Sequence, residues 1–256
     1  MVTDRAVAGP RRPLPLPFVD DELRTRLAAV HARIDRAAEQ AGRLPTDVAL
    51  LLATKTQDAP TIRAAVAAHR ALDVPRRLLL GENRVQEMVA KGPALADLGL
   101  AYHLIGPLQA NKVNAALRWA DAVDAVESAE LAHRLGERRA GRAPLDVMVQ
   151  VNVTGEESKH GVAPRGAASL AAAVAAEPGL RLVGFQTIGA RSDDPLVVCA
   201  GFAALRAVRD DVLASGAPGT AAAVELSMGM TGDLEHAVAE GATIVRVGTA
   251  VFGART

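Results

Sequence analysis

The sequence has one cysteine, few aromatic residues and no long apolar run, and each absence excludes a class of protein. The single cysteine, Cys199, rules out an internal disulfide framework and a metal site built from several cysteines. Phenylalanine, tryptophan and tyrosine make up only 2% of the residues, too few for the base-stacking platforms of single-stranded nucleic-acid binders. No stretch of about 18 apolar residues occurs, so the sequence predicts no transmembrane helix.

An excess of charge of either sign is also absent. Lys plus Arg number 29 and Asp plus Glu number 29, which argues against a broad basic surface for nucleic acid or anionic lipid. The N-terminal segment 1–17 contains prolines and arginines but lacks the apolar core of a secretory signal. We therefore expect an extended or disordered tail over 1–17, one folded domain over 18–256, a cytoplasmic location and a monomeric state.

Lysine is scarce although positive charge is not. Among the 29 basic residues only four are lysines: Lys55, Lys91, Lys112 and Lys159. Since arginine neither loses its proton nor forms an imine, a lysine in an unusual place suggests that an amine is needed there. Lys55 directly follows an apolar run, where an amine would be partly desolvated and therefore nucleophilic. From position alone, a lysine that simply extends into solvent is the alternative.

Short apolar runs alternate with longer helical patterns along the chain. An amphipathic helix is predicted over 19–42, capped by Asp20 or Asp21 and followed by a Gly-to-Pro turn over 42–45. Eight strands are predicted, at 48–54, 78–82, 102–106, 122–128, 146–153, 181–188, 224–229 and 243–248. Helices are predicted between them, at 59–71, 83–91, 109–118, 128–140, 165–176, 195–214 and 231–240. Strands that are apolar on both faces and alternate with helices predict an α/β fold, a single (β/α)8 TIM barrel.

A doubly wound open sheet is the alternative fold, but the G-x-G-x-x-G signature that it would carry after its first strand is missing.

The C-terminal ends of the predicted strands carry polar residues. Barrel enzymes place their reactive groups at these ends, and phosphate often binds after strands 7 and 8. Gly229 follows strand 7 and Gly248 follows strand 8, where the lack of a side chain lets the backbone approach an anion. Ser227 and Thr249 offer hydroxyl groups beside them. Because strand 8 neighbours strand 1 in a closed barrel, Lys55 would face the same ligand, which predicts a phosphorylated aldehyde held as an imine.

Other polar residues are weaker candidates for this site. Arg246 would point into the barrel mouth and contact the ring of the ligand, with an ion pair to a barrel-mouth carboxylate such as Glu225 as the alternative. Asn83 and His103 could orient the ligand or the lysine, although a histidine at a strand end is often only structural. Lys112 is typical of a solvated or interfacial lysine. No two His or Cys residues stand at ligand spacing on one element, so we predict no metal site.

Seven motifs carry a family resemblance. They are LLATKT (51–56), GENRVQE (81–87), HLIGPLQANK (103–112), QVNVTGEESKHG (150–161), GFQTIG (184–189), LSMGM (226–230) and VRVGTAVFGAR (245–255). Together the motifs resemble the YggS/PROSC family of pyridoxal phosphate-binding proteins, the pyridoxal phosphate homeostasis proteins. The resemblance implies a barrel like the N-terminal domain of alanine racemase, with pyridoxal 5′-phosphate held as a Schiff base on Lys55. The cofactor-binding set that it implies is Lys55, Asn83, His103, Ser227, Met228, Gly229, Arg246, Gly248 and Thr249.

The resemblance also implies a role. Arg246 would face the pyridine nitrogen, keep it unprotonated and so weaken the cofactor as an electron sink. This favours a protein of vitamin B6 and amino-acid homeostasis without established turnover, with pyridoxal phosphate-dependent apoenzymes as candidate partners.

Two enzymatic alternatives stay open. A pyridoxal phosphate-dependent racemase needs a second acid or base opposite the lysine, usually a tyrosine from a separate domain. Here Tyr102 is the one tyrosine, and alternation places Tyr102 and His103 on opposite faces of strand 3. A Schiff-base aldolase acting on a sugar phosphate is the other alternative, and it predicts a colourless protein.

Overall fold

Eight parallel strands close into one barrel, in the order β1-β2-β3-β4-β5-β6-β7-β8. The structure is a computed structural model, and it describes residues 20–156 and 158–253. The strands are β1 Ala49–Ala53, β2 Leu78–Glu82, β3 Tyr102–Leu104, β4 Ala122–Val126, β5 Leu145–Gln150, β6 Leu180–Gln186, β7 Glu225–Ser227 and β8 Ile244–Val247. The predicted (β/α)8 barrel is therefore confirmed. The predicted tail, 1–17, lies outside the described residues.

A helix follows every strand and one more precedes β1. The helices are α1 Asp21–Gln40, α2 Ala59–Ala71, α3 Val85–Leu95, α4 Val113–Ala116, α5 Ala129–Arg139, α6 Pro164–Ala175, α7 Pro195–Ala214, α8 Leu234–Ala239 and α9 Thr249–Phe252. The first helix begins as predicted, because the Asp20 carboxylate accepts the N–H groups of Glu22 and Leu23, each at 3.0 Å. None of the described helices is long and apolar enough to cross a membrane.

Three predicted helices differ from those observed, and two of them follow β2 and β3. The segment 109–118 forms a short 3-10 turn, Ala110–Lys112, followed by the single turn of α4. The helix predicted over 83–91 starts two residues later and continues to Leu95, passing through Pro93. Because proline has no N–H, Pro93 cannot donate to the carbonyl four residues before it, and the helix ends two residues later.

The strands were predicted closely, and β7 shows why they end where they do. Every strand end lies within three residues of its predicted position. The segment predicted as strand over 224–229 stops at Ser227, because Gly229 adopts a left-handed backbone with φ of +88°. The Met230 N–H then donates to the Asp233 carboxylate at 2.5 Å, which replaces the first turn of the helix predicted over 231–240.

Alternation along the strands separates two apolar cores. Leu50 and Leu52 of β1 point outward into the larger core between barrel and helices. Leu51 points inward, into a small core with Ala49, Leu79, Ile105, Met148 and Ile244. Gly81 lies beside it, and a Cβ there would stand 2.2 Å from Leu51 Cδ2. This part of the barrel interior is therefore filled by side chains.

A buried histidine pair joins α1 to α2. His31 Nε2 lies 3.0 Å from His69 Nδ1, and Arg76 Nε donates to His31 Nδ1 at 3.0 Å. Because arginine only donates, His31 accepts at Nδ1 and donates from Nε2, which makes both rings neutral. Burial first, and then the charges of His69 and Arg76, lower the pKa of His31 to about 4.

We expect the free energy of unfolding to decrease as the pH falls from 6.5 to about 4, the window between the unfolded and folded pKa values of His31. The unfolded chain binds a proton in this window while the folded chain does not, so the stability present above pH 6.5 is lost on acidification. The part due to His31 is on the order of 3 kcal/mol. Urea unfolding at several pH values should show that the free energy of unfolding depends less on pH in His31→Gln than in the wild type. The same pH dependence in both proteins would contradict the role given to His31.

Candidate functional site

The interior of the barrel becomes polar toward the C-terminal ends of the strands. Six consecutive strands, β3 to β8, each contribute one inward-facing polar side chain, and all six are at most 7% exposed. They are His103, Asp124, Gln150, Gln186, Ser227 and Arg246. Since burying polar groups is costly unless they are hydrogen-bonded, a polar layer at this end is typical of the ligand site of a barrel.

Arg246 is the cation of this layer. Its Nη1 donates to Ser227 Oγ at 2.9 Å and its Nη2 to the Thr187 carbonyl at 2.6 Å. Burial lowers the pKa of Arg246 to about 10, although the nearby carboxylates of Asp124 and Asp233 oppose the shift. Arg246 therefore points into the barrel, as the sequence predicted. Its hydrogen-bond partner Ser227 was also among the predicted site residues.

The alternative ion pair between Arg246 and Glu225 is wrong. Glu225 is the first residue of β7, at the N-terminal end of the barrel, and it binds Arg77 there at 2.7 Å. Arg246 lies near the other end of β8, next to the residue that closes β7.

His103 forms the second pair in the layer. Its Nδ1 is 3.0 Å from both carboxylate oxygens of Asp124. Burial opposes protonation of the ring, but the charge and hydrogen bond of Asp124 outweigh it and raise the pKa of His103. Tyr102 points the other way, into the outer core, as the alternation predicted. Its hydroxyl is buried without a hydrogen-bond partner among the described residues, and burial raises the pKa of Tyr102.

A glutamine pair continues the layer across β5 and β6. Gln186 Nε2 lies 3.3 Å from Gln150 Oε1 and 3.3 Å from the Ile105 carbonyl. Gln150 in turn donates to the carbonyl of His160, in the loop after β5, at 3.1 Å. Within the part of the chain that the structure describes, Gln186 Oε1 has no donor, so the interior presents a free buried acceptor.

Sequence reasoning missed Asp124, Gln150 and Gln186. Asp124 carries the clearest signal, since it stands inside the apolar run AVDAV and is completely buried in β4. A charged residue in the middle of a strand that is otherwise apolar on both faces indicates an inward-facing partner. Gln150 and Gln186 both end their strands, which is where barrel sites lie.

Lys55 lies in the turn directly after β1. The residues before it pair with β8, Leu51 opposite Arg246 and Leu52 opposite Val247. The next residue along, Gly248, packs so closely that a Cβ there would be 3.1 Å from the Ala53 carbonyl oxygen. Lys55 and the loop after β8 therefore share one end of the barrel, as predicted.

The expected desolvation of Lys55 is wrong. The side chain of Lys55 is exposed, and Thr54 takes the buried position instead, with 0% exposure. The reason is local, because the chain leaves the strand at Thr54 and turns through Thr56, whose φ is +67°.

The loops after β7 and β8 contact each other. The Arg246 N–H donates to the Gly229 carbonyl at 2.9 Å, and the Ala250 N–H lies 3.4 Å from Thr231 Oγ1. A Cβ on Gly229 would stand 2.4 Å from Ala237 Cβ, so this loop packs tightly against α8. Thr249 is exposed at the start of α9, beside Gly248. The loop 229–231 after β7 thus lies beside the segment 248–250 after β8, and we call these two segments the cradle.

The sequence also pointed to three other residues. Met228 belongs to the predicted set, but its side chain is buried in the outer core, so only its backbone borders the cradle. Asn83 is half-buried after β2, and its N–H donates to Glu82 Oε1 at 2.9 Å. Lys112 lies half-buried in the 3-10 turn. Among residues 20–156 and 158–253, no group of three His, Cys, Asp or Glu side chains could hold a metal ion.

Comparison with known proteins places the barrel in a class. Residues 25–256 match the family of the alanine racemase N-terminal domain, so the barrel is of that type. The Pyridoxal phosphate homeostasis protein of Pseudomonas aeruginosa is 44% identical over 230 residues, which cover 90% of this chain and 94% of that protein. The chain belongs to the pyridoxal phosphate homeostasis protein family.

Two solved structures show the same fold at similar length. A protein from Bifidobacterium adolescentis is 42% identical with a TM-score of 0.83, covering 91% of this chain and 95% of that one. PipY from Synechococcus elongatus, in a structure with pyridoxal phosphate bound, is 33% identical with a TM-score of 0.74, covering 90% of this chain and 100% of that one.

Proposed function

We propose that this protein binds pyridoxal 5′-phosphate as a Schiff base on Lys55 and acts in the homeostasis of that cofactor. The observation that carries the proposal is the position of Lys55 beside the cradle formed after β7 and β8, with Gly248 packed against Ala53. An amine and an anion cradle at one barrel end suit a small ligand that has both an aldehyde and a phosphate. The pyridoxal phosphate bound in the structure of PipY supports this choice of ligand.

The chemistry requires only residues of this chain. Lys55 would hold the cofactor through a C=N bond to its aldehyde carbon, and forming that bond would release one water molecule and need no oxidant. Ser227 and Thr249 would contact the phosphate through their hydroxyls, and Gly229 and Gly248 through their backbones. The exposure of the Lys55 side chain leaves it accessible to an incoming ligand.

Arg246 would face the pyridine nitrogen. Arginine has five N–H donors and no acceptor, and Ser227 and Thr187 occupy two of the donors. A ring nitrogen opposite such a group accepts a hydrogen bond and is kept unprotonated, which weakens the cofactor as an electron sink. We therefore propose that the protein holds the cofactor without turnover.

The racemase alternative is less well supported. It needs a second acid or base opposite Lys55, and the one tyrosine of the chain, Tyr102, points into the outer core. Transfer of the cofactor to apoenzymes, a monomeric state and a cytoplasmic location stay predictions of the sequence.

The visible spectrum and chemical trapping test the proposal. We expect the protein to absorb in the visible range, or to do so after addition of pyridoxal phosphate, and borohydride to fix the label on the peptide that contains Lys55. A protein that stays colourless with added cofactor would contradict the proposal and favour the sugar-phosphate aldolase. A label on another lysine would contradict the site. Chiral analysis after incubation with L-alanine tests the racemase, since we expect no D-alanine.

A further inference from the structure

A buried charge cluster lies outside the barrel, between β2 and α3. The Glu82 carboxylate is completely buried and the Lys91 side chain is 11% exposed. Lys91 Nζ donates to Glu82 Oε2 at 2.7 Å, to Glu87 Oε2 at 2.9 Å and to the Thr54 carbonyl at 3.0 Å. All three donors of the ammonium group are therefore used, and each goes to a different residue.

This cluster holds the backbone on both sides of Lys55. Lys91 binds the carbonyl of Thr54, and Glu87 Oε2 accepts the N–H of Thr56 at 2.9 Å. Thr56 has a φ of +67°, a conformation that is unfavourable for a β-branched residue and persists only where its surroundings impose it. The peptide groups before and after Lys55 are thus tied to the same ion pairs.

The charges of the cluster depend on one another. Burial alone would raise the pKa of Glu87. The hydrogen bonds from Lys91 and from the Thr56 N–H outweigh burial, so the pKa of Glu87 lies below its ordinary value. Glu82 also accepts from Thr54 Oγ1 at 3.1 Å. A buried carboxylate with these partners is stable only while Lys91 keeps its charge nearby.

The use of lysine at position 91 is itself informative. Only four of the 29 basic residues are lysines, so arginine is the usual cation of this chain. The guanidinium of arginine holds its donors in one plane, whereas the ammonium of lysine can direct three donors to three separated acceptors. Lys91 Nζ has such separated acceptors, which lie after the end of β1, in β2 and in α3.

We propose that Lys91, with Glu82 and Glu87, is a positioning unit that holds the turn Thr54–Thr56 so that the Lys55 amine is presented to the cradle. The unit does not touch the ligand and acts only through the backbone of Lys55. The inference rests on the proposed function, since it concerns the same amine. A purely structural role, joining α3 to β2, is the competing explanation.

The variant Glu87→Ala separates the two explanations. It removes the acceptor for the Thr56 N–H but leaves the buried pair of Glu82 and Lys91 in place. We expect the rate constant for imine formation with added pyridoxal phosphate, followed by absorbance, to fall about tenfold or more, since misplacement of a reacting group by about 1 Å has effects of this size. We expect the affinity for 4′-deoxypyridoxine phosphate, which lacks the aldehyde, to stay within about twofold, because the cradle is untouched.

Two further variants complete the experiment. Glu87→Gln places an amide oxygen where Oε2 accepts from both Lys91 and Thr56, so it should restore most of the rate. Glu130→Ala is the control, because Glu130 forms an exposed i,i+4 pair with Arg134, the same spacing as Glu87 and Lys91. It should leave the rate unchanged.

Several outcomes overturn the inference. One is a Glu87→Ala rate equal to that of the wild type, and another is a parallel loss of analogue affinity, which indicates a structural role. If Glu87→Ala does not fold, Lys91→Arg replaces it, with the same expected and contradicting results. Failure of the wild type to form an imine on Lys55 overturns the proposed function as well, whereas a normal wild type with an unaffected variant overturns this inference alone.

Discussion

Replacing Lys55 with methionine should abolish the covalent attachment of pyridoxal phosphate. The amine proposed to form the C=N bond is removed, so neither the imine absorbance nor a borohydride-fixed label should appear. Lys55→Arg should behave in the same way, because a guanidinium keeps its proton and does not form imines. Lys55 is exposed, so either substitution should change the free energy of unfolding by no more than about 0.5 kcal/mol.

Thermal unfolding with added cofactor provides a second measurement. A ligand at a hundred times its dissociation constant stabilises the folded state by about 2.7 kcal/mol, and Lys55→Met should lose much of this increase. The control is Lys112→Met, since Lys112 lies in the 3-10 turn after β3 and has no part in the proposed site. A labelled Lys55→Met protein, or an unlabelled Lys112→Met protein, would contradict the assignment.

Replacing Arg246 with methionine should be the most destabilising single change in the polar layer. The substitution leaves Ser227 Oγ and the Thr187 carbonyl without their donor, and it removes the cation near Asp124. Removing one partner from a buried charge network typically costs about 3–5 kcal/mol. Arg246→Lys keeps the charge but not the planar fork, so we expect an intermediate loss.

Urea unfolding of the cofactor-free protein measures this effect. The matched control is Arg181→Met, because Arg181 forms a two-bond pair with Asp146 but its side chain is 62% exposed. An exposed pair of this kind contributes about 1 kcal/mol or less. If Arg246→Met lowered the free energy of unfolding no more than Arg181→Met, the stability of the polar layer would not depend on its buried cation.

Local patterns in the sequence were sufficient to predict the strands and most of the helices of the barrel. The run at Leu50–Leu52 is apolar at every position because one face of the strand meets the helices and the other meets the barrel interior. The helix cap was narrowed to Asp20 or Asp21 for an equally local reason, since the carboxylate of the cap, Asp20, binds N–H groups two and three residues away. Barrel closure followed from the number of units, which in turn placed Lys55 beside Gly248.

Local patterns failed where the partner is distant in sequence. The bond between His103 and Asp124 joins β3 to β4, and the bond between Gln150 and Gln186 joins β5 to β6. The alternative partner considered for Arg246, Glu225, has the right charge and is close in sequence to Ser227, yet it lies at the opposite end of the barrel.

The sequence by itself determined that this chain forms eight βα units, that Lys55 follows the first strand and that glycines and hydroxyls lie at the ends of the last two strands. These features depend on the period of the apolar residues and on residues adjacent in the chain, which a single sequence records. Only the tertiary structure decided that Lys55 is exposed and that Lys91 and Glu87 bind the backbone on either side of it. Burial and charge pairing depend on which elements meet in space, and helix α3 reaches the end of β1 because β2, which precedes it, pairs with β1.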